Sequence, residues 1–321
     1  MKQIKYICLI ICLMSVSVFA AAPVGTATGQ FLTIGVGGRA VAMGESITAA
    51  TMGSESVFWN PAGLCEGSEN DLFAAYNQWP AGIHVGALSA TYNSPTFGAF
   101  ALHAKFVNFG DIEITTIDEP NGTGNMLLMS NYAIGLTYSR YLTDKVSMGA
   151  TANFVHEKYG ENGYNTIAYN VGLLYRSNFR NMKIGMSILN FAPEVQFSGS
   201  FIDFSYYDSY TTGDSLSFDT WSLPMTFRFG AVMDLYSEGP NLLIASFDMV
   251  HPNDNREQYN IGTEYAYDQK LFVRLGYRLT ADAGGVSGGI GFKFEKIRFD
   301  YSLTSLGQLG LTNRLSLGLS M

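Results

Sequence analysis

Residues 131–141 read NYAIGLTYSRY. Tyr132, Ile134, Leu136 and Tyr138 fall on one face of an extended chain, and Asn131, Ala133, Gly135, Thr137 and Ser139 fall on the other. Period two is the signature of a strand, because successive side chains of an extended backbone point to opposite sides. One set is bulky and apolar, the other small and polar. The pattern recurs where Val146, Met148, Ala150, Ala152 and Phe154 oppose Lys145, Ser147, Gly149, Thr151 and Asn153, and again along Ile167, Tyr169, Val171, Leu173 and Tyr175. Leu271, Val273, Leu275, Tyr277 and Leu279 repeat it, as do Ile297, Phe299, Tyr301 and Leu303 opposite Arg298, Asp300, Ser302 and Thr304. A soluble sandwich or propeller turns polar residues outward. Here the uniform face is apolar and aromatic, and the charges share the opposite face with small residues, which suits strands that face lipid.

Cut at its turn signals, the chain yields about fourteen strands, near 69–79, 82–93, 97–109, 128–141, 145–159, 164–177, 181–191, 224–236, 241–251, 257–267, 270–280, 286–295, 296–306 and 312–321. Most reach the ~9–11 residues that a tilted strand needs to cross a bilayer. Short connections such as SPT, LTD, NFR, EGP, YDQ and FEKI alternate with longer ones, notably 110–127 and 192–223, as periplasmic turns alternate with external loops. The expected fold is all-β: a transmembrane antiparallel β-barrel of about fourteen strands in the outer membrane of a Gram-negative-type cell. The final LTNRLSLGLSM places Leu315, Leu317, Leu319 and Met321 on one face and resembles an outer-membrane insertion signal, though Met stands where Phe is usual.

Composition agrees. Charged residues are 14% of the chain, against ~25% in soluble domains, and aromatic residues are also 14%. Residues 1–22 look like a signal peptide: Lys2 and Lys5 precede an apolar run from Ile7 to Phe19 that ends in small residues. Cys12 lacks the small residue that lipidation needs before it. The full chain carries 19 Lys and Arg against 27 Asp and Glu, so losing those two lysines takes the net charge from −8 to −10, which disfavours nucleic acid as a partner. Cys8 and Cys12 leave with the same segment, so Cys65 has no intramolecular disulfide partner.

The stretch IGVGGRA at 34–40 has the spacing of a dinucleotide-binding turn in Gly35, Gly37 and Ala40. That chemistry needs a strand before the glycines and a βαβ unit after them. No such unit follows. Residues 23–68 instead form a Gly- and Ala-rich segment ahead of the barrel at 69–321. Fourteen strands enclose a lumen that is either filled or a pore. Little side-chain bulk lets a segment run close to a wall, and Arg39 could pair there with Asp234, Asp248, Glu264 or Asp300. The expectation is a plug inside the barrel.

QFLTIGVGGRAVAMGES, followed by FWNPAGL, resembles the N-terminal signature of the PorV/PorQ family of outer-membrane proteins, which are similar to FadL long-chain fatty-acid transporters. The resemblance covers essentially the whole chain after residue 22. It implies a fourteen-stranded barrel with an N-terminal hatch built from Gly35, Gly37, Arg39, Ala40, Met43, Gly44, Trp59, Asn60, Pro61, Ala62, Gly63 and Leu64. It also implies docking or shuttling in protein export of the type IX secretion kind, with secreted cargo domains or other secretion components as partners.

Catalysis finds little support. His84, His103, His156 and His251 lie on separate strands, with no H-E-x-x-H, no G-x-S-x-G and no metal-ligand cluster, so neither a cofactor nor a metal is expected. Residues 192–223 carry Phe197, Phe201, Phe204, Tyr206, Tyr207, Tyr210, Phe218 and Trp221, five acidic residues and no Lys or Arg. Such rings form a lid or an interfacial girdle, or they hold a partner, for which Tyr206, Tyr207, Tyr210 and Trp221 are the candidates. Two functions follow: a docking protein for export, or a FadL-like channel for small hydrophobic molecules. A lumen carrying Arg176, Arg228, Arg274, Arg278 and Arg298 favours the first, because it is polar.

Overall fold

The computed structural model describes residues 24–67, 70–203, 214–280 and 285–321. The proposed signal peptide lies outside them, as do Tyr206, Tyr207 and Tyr210. The strands are β1 (Asp71–Gln78), β2 (His84–Ser94), β3 (Gly98–Asn108), β4 (Met129–Tyr141), β5 (Val146–Tyr159), β6 (Asn162–Arg176) and β7 (Lys183–Phe191). Four short ones follow: β8 (Val195–Gln196), β9 (Ser200–Asp203), β10 (Asp214–Ser217) and β11 (Thr220–Trp221). The series ends with β12 (Thr226–Glu238), β13 (Asn241–Pro252), β14 (Gln258–Tyr267), β15 (Leu271–Leu279), β16 (Val286–Phe294), β17 (Ile297–Ser305) and β18 (Leu311–Ser320).

β1–β7 and β12–β18 form one closed antiparallel barrel of fourteen strands. Closure is made by β1, which pairs with β2 on one side and with β18 on the other, from Asp71 opposite Ser320 to Gln78 opposite Asn313. β7 pairs directly with β12, so β8–β11 stand outside the wall as two small ribbons, β8 with β11 and β9 with β10. A closed barrel leaves no unpaired strand edge, a requirement where no water can satisfy backbone amides. Among the described residues no helix is long and apolar enough to cross a membrane.

The faces follow the alternation. Leu136 is 67% exposed and Leu275 63%, while their neighbours Thr137 and Arg274 are buried in the interior. Tyr92, Tyr138 and Tyr175 ring the barrel near the short-turn end, as an interfacial girdle does. We call that end inner and the long-loop end outer. One connection departs from the expected alternation: β5 and β6 are joined at the outer end by Gly160 and Glu161 alone. Gly160, at φ 60°, adopts the left-handed conformation a two-residue hairpin demands.

An arginine placed on the outward face tests this orientation. Leu136→Arg should destabilise the folded barrel in lipid vesicles by about 2–4 kcal/mol in denaturant titration. Thr137→Ala, one residue along, removes an inward hydroxyl that lies 2.8 Å from Thr151 Oγ1 and should cost about 1 kcal/mol.

Candidate functional site

The N-terminal segment occupies the barrel interior from end to end. At the outer end Ala27 bridges to Ser222, with the Thr28 amide donating to Ser222 O at 3.0 Å. Thr28 Oγ1 donates to Glu157 on β5, a carboxylate that also receives the hydroxyls of Tyr159 and Tyr164. From there the chain descends through a one-turn helix, Gly38–Ala42, and two 3-10 turns, Gly53–Phe58 and Pro61–Glu66, to reach the inner rim. Its apolar side chains Val41, Met43, Ile47, Trp59 and Ala62 pack into one cluster with Leu174, Val232 and Ile244 of the wall.

Backbone-to-backbone approach makes this packing tight. A Cβ on Gly38 would lie 2.8 Å from Asp300 O, and one on Gly289 would lie 2.7 Å from the Ala42 Cβ. Wall glycines 149, 172, 185, 262 and 276 likewise leave room only for the segment, against Pro61, Asn60, Thr48, Met43 and Gly44 respectively. Gly63 is held as closely by Thr51 and Ser56 within the segment. Asn60 caps the last turn: its Oδ1 accepts the Ala62 amide at 3.1 Å, and its Nδ2 donates to Thr48 O at 2.9 Å and to Leu173 O of β6 at 3.3 Å. Pro61 opens that turn, where a missing amide hydrogen costs nothing, and Leu64 is fully buried behind it. The Trp59 indole donates to Val36 O at 3.0 Å and lies 5.1 Å beneath the Arg228 guanidinium.

Charges join segment to wall. Of the four carboxylates considered for Arg39, Glu264 receives it, through Nε at 3.0 Å and Nη2 at 3.2 Å. The same carboxylate takes Arg274 Nε at 2.5 Å, and Arg274 reaches Asp300 at 2.8 Å. Arg298 then links Asp300, at 3.0 Å, to Glu55 of the segment, at 3.2 Å. Asp248 accepts the Ile47 and Thr48 amides, the Thr48 hydroxyl and Arg228. Asp234 sits apart at the rim with Asn181. Burial works against the Arg39 cation, but Glu264 outweighs it, so the guanidinium holds its proton more firmly than in water. Burial raises the Glu55 carboxyl against the pull of Arg298 and Arg39. At the inner rim Glu66 bonds Arg176 Nε at 2.9 Å, Lys183 at 2.8 Å and the Tyr141 hydroxyl at 2.9 Å. Burial alone would raise Glu66, yet Lys183 and Arg176 hold it below the usual carboxylate range.

Beside the segment, in the outer half of the barrel, lies a cavity of about 310 Å³. Phe58 and Trp59 form part of its lining, Leu32 and Ile34 another part, and it reaches the outer mouth at the exposed Thr33 and Leu309. Two buried cations also face it. Lys105 donates to the carbonyls of Leu32 and Ile34 at 2.9 and 2.6 Å, and Arg314 donates to Thr304 and Thr312 at 3.2 and 2.8 Å. The sequence marked neither cation, nor Glu66, as part of this interior. Each sits in a strand or turn where only the barrel's register shows what lies opposite.

The histidines do not converge. His103 faces inward beside Asn153 at 2.8 Å, whereas His84 and His156 stack on Tyr76 and Tyr132, and His251 lies at the outer end of β13 beside Glu257. Among the described residues no group of His, Cys, Asp and Glu could hold a metal ion. The aromatic loop turns rings inward at its base. Phe197 packs edge-on against Tyr164 at 5.1 Å and lies within 6.2 Å of Tyr159 and 6.1 Å of Phe218, while Trp221 remains 37% exposed.

No protein-family model matches the sequence, and no curated protein matches it. Solved structures do. The CymD monoaromatic hydrocarbon channel aligns with a TM-score of 0.62 at 14% identity, over 90% of this chain and 98% of that one. The toluene transporter TodX of Pseudomonas putida aligns at 0.56 and 13%, over 87% and 95%, and a Pseudomonas aeruginosa FadL homologue at 0.55 and 14%, over 94% and 100%. At these identities the likeness is one of fold. This chain has the architecture of FadL-like outer-membrane barrels, and nothing in the comparisons singles out PorV/PorQ.

Proposed function

We propose that the protein is an outer-membrane channel for small hydrophobic molecules, in which residues 23–68 act as a plug that controls passage. The observation that carries this reading is the 310 Å³ cavity, accessible from the outer mouth and bounded below by Phe58 and Trp59 of the segment. A chamber that stops at a non-covalently held segment is a binding compartment in series with a gate. The likeness to barrels described as hydrocarbon channels and a toluene transporter supports the same reading. The docking role implied by the PorV/PorQ resemblance takes second place. Of its four candidate rings only Trp221 is described, and the rings beside it pack inward as a lid would. The reading is non-enzymatic: the interior charges pair with one another and with backbone groups rather than converging on a reactive atom.

Uptake provides the direct test. Vesicles containing the protein should accumulate a labelled monoaromatic hydrocarbon faster than empty vesicles, and Trp59→Ala, which widens the cavity floor, should change that rate at least severalfold. Rates equal to those of empty vesicles would overturn the channel reading.

The inner anchorage should titrate. Glu66 has a folded-state pKa below its unfolded value, so its contribution is complete above the ordinary glutamate range, near ~4.3, and is lost as pH falls through the lowered value. Single-channel conductance should therefore rise in strong acid, and Glu66→Gln should conduct at neutral pH as the wild type does in acid. Glu264→Gln, which leaves Arg39 and Arg274 buried against a neutral amide, should lower unfolding stability by about 3–5 kcal/mol.

A further inference from the structure

Outside the barrel, an apolar groove of about 640 Å³ crosses the outward faces of β1–β6. Ala150 and Ala152 of β5 form part of its floor, their methyl groups standing between larger neighbours. Leu136 and Tyr138 of β4 pair with Ala152 and Ala150 on one side, and Val171 and Tyr169 of β6 pair with Ala150 and Ala152 on the other. Along β5, Phe154 is the next outward residue toward the outer end and Met148 the next toward the inner end. The walls are two strand spacings apart, about 9–10 Å between backbones, which leaves a channel one hydrocarbon chain wide once the side chains are in place.

Arg140 lies one outward position beyond Tyr138, paired across the strands with Met148. It is exposed, points to the outside of the barrel at the inner rim, and no hydrogen bond or ion pair joins its guanidinium to another described residue. Tyr138 and Tyr175 flank that level as part of the interfacial ring. A cation at the interface beyond an apolar slot that runs toward the bilayer centre has the order of groups found in a phospholipid, phosphate first and acyl chain after.

We propose that this slot is a binding site for a phospholipid of the inner leaflet, with the phosphate on Arg140 and one acyl chain over Ala150 and Ala152. Guanidinium and phosphate are matched in charge and geometry. The site is independent of what the lumen carries.

Native mass spectrometry of the detergent-purified protein with added phosphatidylethanolamine tests this. Filling the slot in Ala150→Phe/Ala152→Phe, or removing the charge in Arg140→Gln, should each weaken binding of the first lipid about tenfold. Arg140→Lys should keep most of the affinity, and Thr263→Phe, on the outward face of β14, should bind as the wild type does. Heat-modifiable migration on a gel verifies closure of each barrel, and Arg140→Gln, at the rim, still decides the matter if the double variant fails to assemble. Equal lipid affinity in all variants, an equal loss in Thr263→Phe, or a second copy of the chain held at this face in place of lipid would overturn the assignment.

Discussion

Hydrocarbon offers no hydrogen bonds to an amide, and this constraint governs the rest of the molecule. Each wall strand must be paired on both sides, so the sheet closes through β1 and β18. Closure with fourteen strands creates an interior too wide for wall side chains alone to fill. The residues facing it are largely polar or charged, among them Asn131, Thr137, Asn153, Asp248, Glu264 and Arg274. An interior of that kind requires matching partners, and the N-terminal segment supplies many of them.

The segment is held by two kinds of contact that act at different heights. In the middle, glycines on wall and segment let backbones meet, and the ion pairs Arg39–Glu264 and Arg298–Glu55, with the hydrogen bonds of Arg228 to Thr48 and Glu45, connect the two in fixed register. Such buried pairs contribute less to net stability than to uniqueness of position, because desolvation offsets much of their attraction. At the inner rim Glu66 joins Arg176, Lys183 and Tyr141, and Pro61 and Asn60 pack on Gly149 and Gly172, while at the outer end Thr28 bonds Glu157.

The wall was legible in the sequence because each of its rules is local. Period-two alternation located strands such as β4 and β5 to within a residue or two at either end, and the outward set Leu136, Tyr138, Ala150 and Ala152 was readable from parity alone. The β5–β6 turn escaped the expected alternation because Gly160 makes a tight hairpin possible at either end of a barrel. The interior was less legible. Arg39 had four plausible carboxylates, and only the register of β14 and β15 brings Glu264 beside both Arg39 and Arg274. Lys105, Arg314 and Glu66 carried no local mark. The glycines of IGVGGRA looked like a cofactor turn, yet Gly38 serves close approach to Asp300, and Gly37, at φ 91°, lets the chain enter the short helix beside Glu55.

Whether passage requires the segment to move is tested most directly by tying it to the wall. Ser54 of the segment and Thr91 of β2 bring their hydroxyl oxygens to 2.6 Å, so the variant Ser54→Cys/Thr91→Cys, in a Cys65→Ser background, can be locked by mild oxidation. The account predicts that the pair crosslinks, that hydrocarbon uptake falls to the level of empty vesicles in the oxidised form, and that reduction restores it. Uptake unchanged by a complete crosslink would contradict it, since the ligand would then pass without displacing the segment.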